Sequence, residues 1–427
     1  MTRRIAFAFL ALLVSSALAT EAAAQPKPTL VVTGYGGRWS EVMKRALVEP
    51  FEKAFLEDLA TLRVQPAEHQ PRATEHVAGM IEMIARLLET GHAYQAEGDV
   101  YYRIASFADY GKLAHLDRAG LKSGARVRQD DYDKESVTDF ALWKGEVEGD
   151  AAVGAAWDAP FGRGRPGWHI ECSVMSKAYL GPTFDIHAGG IDLLFPHHQN
   201  EVAQSEAANG VKFANHWLHS EHLADATGAK MSKRLGNIAT LRDLLDAGHR
   251  PLAIRFFLIA NAHYRARLRM DEEAIRAAGE QVRRLQDFSD RVDRFAPAEV
   301  DDADLVASLE QTRAAYRAAL DDDLNLPQGV GFLFDAVRES NAAMDRGGAG
   351  SAAKAAMRAL LDDADNHLDV LERGTEELEA KVERLIAERE EARARRDFAR
   401  SDAIREELRA AGILLEDSRE GVRWRKA

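Results

Sequence analysis

Gly189-Gly190-Ile191-Asp192-Leu193-Leu194-Phe195-Pro196-His197-His198-Gln199-Asn200-Glu201 is the stretch on which the fold turns. The run Phe184 to Ile186 before it reads as a short strand, and Gly189-Gly190 as a turn. His197 to Asn209 has helical character. Strand, loop and helix in succession point to an α/β layer. His197 and Glu201 are four apart, so on a helix they share one face. Upstream, Gly167 to Cys172 is strand-like and ends on the chain's sole cysteine. Thiolate, imidazole and carboxylate are ligand types that zinc accepts. A lone cysteine is also commonly a packed apolar residue, and a His–Glu pair on a helix commonly faces solvent. Spacing by itself leaves both readings open.

Farther along lies Lys230-Met231-Ser232-Lys233-Arg234-Leu235-Gly236-Asn237. Two lysines near a glycine, just before a helix, can clamp anionic oxygens during phosphoryl or nucleotidyl transfer. The alternative is a solvated basic loop. After about Leu241 the chain reads as helical, with apolar repeats through 251–292 and 304–344 and linkers near 296–303 and 345–351. Glu376 to Ala411 is a long charged helical stretch, and Ile413 to Trp424 a hairpin turned near Arg419-Glu420-Gly421. In the other direction, His76 to Thr90 has helical spacing ended by Gly91, and Val100 to Ile104 reads as a strand. Residues 105–165 are polar, broken and rich in Asp and Gly, as an inserted subdomain would be.

The chain has 427 residues, enough for several domains. Charged residues are 29% and hydrophobic residues 46%, ordinary for a globular protein. A net charge of -13 argues against a non-specific nucleic-acid coat and leaves a local basic face open. One cysteine excludes an internal disulfide framework. The N-terminus has a different character. Arg3 and Arg4, the apolar run Ile5 to Leu18, and Ala22-Ala23-Ala24 form the pattern of a secretory signal peptide. Thr29 to Thr33 reads as a strand, Gly34 to Trp39 as a Gly-rich turn, and Ser40 to Phe55 as a helix. That stretch resembles the opening of a periplasmic solute-binding protein.

Lys230 to Asn237 resembles the KMSKS-type signature of class I aminoacyl-tRNA synthetases. Gly167 to Ser173, Phe184 to His187, Gly189 to Glu201 and Pro71 to His76 resemble, in the right order, segments of the cysteinyl-tRNA synthetases. The likeness runs from about residue 55 to the C-terminus. Gln199, where the family usually has an acidic residue, and Arg234, where serine is common, depart from it. Neither is a metal ligand in the family pattern.

The resemblance implies an α/β fold: a partial Rossmann-type class I catalytic domain at 56–250 with an insertion at about 95–165. A helical tRNA-stem and anticodon-binding bundle at 251–372 and a small anticodon module at 373–427 would follow. Residues 1–24 would be a leader and 25–55 a solute-binding-protein-like segment. The implied reaction joins cysteine to ATP, with Mg2+, and passes the cysteinyl group to tRNA(Cys). One Zn2+ would sit on Cys172, His197 and Glu201 and select the substrate thiol over serine's hydroxyl. Trp168 and His187 would line the amino-acid pocket. Gly190 and Asp192 would hold the adenylate. Lys230 and Lys233 would face the ATP phosphates, with Lys233 in direct contact. The resemblance implies a monomer working in the cytoplasm, with no membrane contact beyond the leader; the leader implies export.

Residues 1–55 contain no cysteine and no histidine. In the family a first zinc cysteine and the HIGH-type phosphate-binding motif come early. The expectation is therefore a chain whose start has been replaced, as by a chimaeric gene, and which is slow or inactive in adenylation. Alternatives are a non-catalytic tRNA-binding remnant, an exported binding protein, and a ligase coupling cysteine to an amino sugar. The exported protein fits only some thirty mature residues, and the sugar ligases lack a module like 373–427. In that module, Arg393, Arg395, Arg396, Arg400, Arg405 and Arg409 with an exposed Trp424 suggest an RNA face. An i,i+4 salt-bridged helix is the competing reading.

Overall fold

The structure is a computed structural model. It describes residues 48–427 apart from 117–125, 128–137, 152–153, 230, 232–236, 373–374, 396, 411–412, 419–420 and 427. The leader and most of the solute-binding-protein-like segment lie outside the described residues, as do Lys230 and Lys233.

Two helices lead in. Helix α1 spans Glu49–Thr61, and α2 spans Val77–Glu89. In α2, Val77, Met80, Ile84 and Leu87 form a buried stripe, and Gly91, with φ +77°, ends the run in a conformation that favours glycine. Strands β1 (Ala93–Ala96), β2 (Asp99–Tyr102), β3 (Arg126–Val127), β4 (Asp139–Gly145) and β5 (Gly164–Pro166) form one sheet ordered β1-β2-β4-β3, with β5 paired to β4. Within the polar stretch 105–165, β4 is the buried centre of this sheet. Phe140, Leu142 and Trp143 have no exposed surface. Tyr94 Oη donates to Asp139 Oδ2 at 2.8 Å, and Ile104 N donates to Oδ1 at 3.0 Å, so the buried carboxylate is satisfied.

The sheet hands directly to helix α3, Trp168–Leu180. Gly167, its N-cap, passes so close to β4 that a Cβ there would lie 2.2 Å from the Ala141 carbonyl oxygen. This corrects the strand-like reading of Gly167 to Cys172. His169, Ile170, Ser173 and Val174 are buried at helical spacing, and packing against α2 and β4 overrides the β-favouring Trp-His-Ile run.

Strand β6 (Phe184–Gly190) pairs in parallel with β7 (Ala214–Ser220), and the connection between them carries helix α4, Gln199–Asn209. Among the described residues β6 pairs with β7 alone, and Ile186 is exposed. Before α4 the chain makes a turn at Ile191–Leu193 and a kinked segment at Leu194–His198. Helix α4 is polar yet buried. Tyr110 Oη donates to Asn200 Oδ1 at 2.6 Å, and Ala114 N donates to Gln199 Oε1 at 3.2 Å. Gln199, a departure from the family pattern, thus has a structural task.

Short parallel strands β8 (Leu223–Ala224) and β9 (Leu268–Arg269) join the α/β part to the helices α5 (Leu241–Asp246) and α6 (Pro251–Ala260). Helices α7 (Glu272–Arg294), α8 (Ala303–Asp321), α9 (Leu326–Asp345) and α10 (Ser351–Leu368) form a bundle around Phe256, Phe257, Leu285, Phe288, Leu333 and Leu360. Asp271, Asp302 and Asn325 cap α7, α8 and α9 through their side chains. Arg255 ties the bundle to α1, donating to the Leu62 and Leu368 carbonyls at 2.8 and 2.6 Å.

The last unit is α11 (Thr375–Ala394), α12 (Phe398–Ala410) and the hairpin β10 (Ile413–Ser418) and β11 (Gly421–Lys426). The single charged helix expected over 376–411 is thus two helices packed on each other. Trp424 is half-buried against Ile413 and its neighbours, which corrects its reading as an exposed stacking platform. Arg400 pairs with Glu388 at 2.8 Å, Arg409 with Glu406 at 2.6 Å and Arg395 with Glu391 at 3.9 Å. Of these pairs only Arg395–Glu391 has the i,i+4 spacing, and all three arginines stay exposed. Arg396 lies outside the described residues. No helix of the described residues is long and apolar enough to cross a membrane.

Candidate functional site

Helix α3 carries Cys172, and the kink and first turn of α4 carry His197 and Glu201. Their ligand atoms all lie within 4.8 Å of one another. The sequence separates Cys172 from His197 by a strand and two turns, and the packing of α3 on α4 closes that gap.

Glu201 is fully buried. His187 Nε2, from the inner half of β6, approaches Oε2 at 2.8 Å. His197 Nε2 stands 2.8 Å from Oε1, yet its direction leaves Oε1 without a hydrogen bond. Burial pushes the carboxyl pKa up, and the His187 and His197 imidazoles outweigh it, bringing it down to about 2. A buried carboxylate oxygen with no donor, between a thiol and an imidazole, is a position a cation satisfies. Burial first, and then the negative charges of Glu201 and Glu171, push the Cys172 thiol up to about 12. A divalent ion beside it reverses that balance, since a coordinating thiol is deprotonated outright. The residues therefore fit a zinc ion by donor chemistry.

Three further histidines, His169, His198 and His219, pack around these groups. His197 Nδ1 faces His169 Nδ1 at 2.9 Å. Burial, then the neighbouring His197, hold His169 down to about 3, so it is neutral. A metal-binding His197 needs a bare Nε2, which assigns the shared proton to its Nδ1 with His169 accepting. Trp168, 40% exposed, lies over His197 with ring centroids 4.2 Å apart, forming an accessible wall beside the triad. His187 packs against Trp217 at 4.8 Å and His198 at 4.5 Å. His198 Nδ1 meets His219 Nε2 at 2.8 Å.

At the end of β6, a Cβ on Gly190 would lie 2.5 Å from Asp192 Oδ1, so only glycine lets that carboxylate fold back over the strand end. Asp192 itself is exposed. Lys230 and Lys233 lie outside the described residues, but their flanks do not. Asp225 Oδ1 accepts from Thr227 Oγ1 at 2.6 Å, Thr227 N at 2.9 Å and Ala229 N at 3.0 Å, and Oδ2 accepts from Asn237 Nδ2 at 2.8 Å. The Thr227 and Asn237 bonds hold its pKa down to about 2. One carboxylate thus anchors both sides of the lysine-bearing segment.

Sequence reasoning assigned no role to His169, His198, His219 or Asp225. The His197-His198 doublet and the histidines of His216-Trp217-Leu218-His219 were a signal, because imidazoles that close in sequence on a strand and a turn converge when the elements pair.

A family model for the class I (C) catalytic domain of tRNA synthetases matches residues 36–280. In fold the chain is similar to the Mycobacterium tuberculosis methionyl-tRNA synthetase solved with methionyl-adenylate, at TM-score 0.52 and 15% identity, covering 76% of this chain and 77% of that one. The catalytic fold is that of a class I aminoacyl-tRNA synthetase. Models for the DALR domain and for the cysteinyl-tRNA ligase anticodon binding domain match 315–372 and 375–425. The cysteine–tRNA ligase of Symbiobacterium thermophilum is 45% identical over 391 residues, covering 89% of this chain and 81% of that protein. That of Solibacter usitatus is 44% identical over 379 residues, covering 88% and 80%. The chain belongs to the cysteine–tRNA ligase family.

Proposed function

We infer that this site selects cysteine by its sulfur, with Cys172, His197 and Glu201 holding one zinc ion. The convergence of those three ligand atoms within 4.8 Å carries the reading. When bound, zinc supplies a soft Lewis acid that takes the substrate thiol as thiolate and gives serine's hydroxyl no comparable partner. Trp168 walls the pocket. His187, held by Glu201, faces the substrate's polar end. Gly190 and Asp192 receive the adenylate, and Lys230 and Lys233 stabilise the phosphates of ATP, which enters with Mg2+. The helical bundle and the C-terminal module hold tRNA(Cys), in a monomer suited to the cytoplasm. The leader-like residues 1–24 favour export and would misdirect the product.

Adenylate formation by the 427-residue chain is slow in this reading, because no histidine precedes His69 to serve as a phosphate ligand at a helix N-terminus. The test is cysteine-dependent ATP–pyrophosphate exchange by the zinc-loaded chain beside the Symbiobacterium relative. The reading expects exchange lower by about a hundred-fold or more, with cysteine still retained over serine in equilibrium dialysis. Exchange of the same order would refute slow activation, and equal retention of serine would refute thiol selection. A second reading, a tRNA-binding remnant that no longer charges, shares the match of 375–425 to an anticodon-binding domain. A gel shift with tRNA(Cys) that disappears on removing 373–427, in a chain without exchange activity, supports it.

A further inference from the structure

Glu201 belongs to two groups of ligand atoms. One is Cys172, His197 and Glu201; the other is His187, His198 and Glu201, whose ligand atoms also lie within 4.8 Å of one another. The carboxylate divides its oxygens between them. Oε1 faces His197 and Oε2 faces His187, each at 2.8 Å. Both histidines of the second group are held in place. His187 is packed by Phe184, Phe213 and Trp217. His198 is buried, and its Nδ1 is engaged by His219, leaving Nε2 as the free ligand atom. With Nδ1 donating to His219, such a contact would fix the tautomer that leaves Nε2 bare for a metal. His198 also lies against the bare backbone of Gly189, where a Cβ would come within 2.7 Å of its ring.

We propose that His187, His198 and Glu201 form a second metal site, for a late divalent transition ion such as zinc or cobalt, bridged to the first through the Glu201 carboxylate. The donor set is two imidazoles and one carboxylate, which suits these ions and not magnesium or calcium. Two ions sharing one carboxylate repel each other, so the second binds more weakly than the first. It fills at excess metal, in the space beside the amino-acid pocket.

The proposal rests on the metal reading of Cys172, His197 and Glu201, and cobalt separates the two. Co2+ is titrated into the metal-free full chain and followed by absorption. The first equivalent gives a sulfur-to-cobalt charge-transfer band, which Cys172→Ser removes; failure here sinks the first site. The second equivalent adds visible ligand-field bands without further charge-transfer intensity, and its binding weakens at least tenfold in His198→Ala while the charge-transfer band stays. Saturation at one equivalent per chain in the unaltered protein, or a second equivalent that is indifferent to both His198→Ala and His187→Gln, overturns the second site. Circular dichroism confirms that each variant is folded, and the titration of the unaltered chain decides the stoichiometry if one is not.

Discussion

His169 and His197 meet Nδ1 to Nδ1 at 2.9 Å inside the protein, so one imidazole sets the proton position of the other. In the proposed zinc site His169 would orient His197 through this contact, and its ring also lies 5.6 Å from that of Trp168. Replacing His169 by Phe keeps the packing and removes the acceptor. Zinc affinity is expected to fall about 10–100-fold, as read by competition with a chromophoric chelator. Unchanged affinity would mean that His197 needs no partner on Nδ1.

Asp225 gathers four donors from the two flanks of the lysine-bearing segment. In Asp225→Ala the Thr227 and Ala229 amides lose their acceptor. Their hydrogen exchange is expected to quicken about tenfold, the equivalent of one hydrogen bond's net worth, while exchange in the bundle stays as it was.

Gly167 leaves no room for a side chain beside the Ala141 carbonyl. Its φ of -71° suits any residue, so the penalty in Gly167→Ala is steric alone. Stability is expected to drop by about 1–3 kcal/mol, with weaker zinc binding because the start of α3, and Cys172 with it, is displaced. Calorimetric melting and metal content test the two parts separately.

Asp363 joins α8 to α10 through Arg313 at 2.6 Å and Arg317 at 2.7 Å. The Arg313 hydrogen bond, partly opposed by burial, holds its pKa down to about 2. A depressed carboxyl pKa stabilises the fold above the unfolded value, near 4, and the gain is lost as pH falls through the folded value. Asp363→Asn should therefore be less stable at pH 7 by on the order of 1 kcal/mol, both arginines being partly exposed. The gap between the two urea midpoints should shrink below about pH 4. A gap that grows on acidification would contradict this sign.

Periodicity made some elements legible and hid others. Helix α2 shows a one-sided stripe, and the hairpin β10–β11 a Gly-containing turn signal between an apolar run and an alternating one, so both could be read from the residues. Helix α3 buries His169 and Ser173 beside Ile170 and Val174, so its inner face is half polar and shows no apolar stripe to read as a helix. Strand β4 is buried throughout most of its length, so Phe140-Ala141-Leu142-Trp143 lacks the alternation that would have marked it inside a polar stretch. For the site, His197 and Glu201 carry their relation in the sequence as a helical spacing. Cys172 is brought to them by tertiary packing, which its ligand chemistry could suggest and its spacing could not. The same holds for His169 and His219, whose partners lie 28 and 21 positions away.

X-ray absorption at the zinc edge tests the central claim most directly, on the chain loaded with one equivalent of zinc. The account predicts one sulfur neighbour at about 2.3 Å without ligand, two once cysteine is added, and one still when serine is added instead. A zinc ion with no sulfur neighbour, or a sulfur count that cysteine does not change, would contradict it.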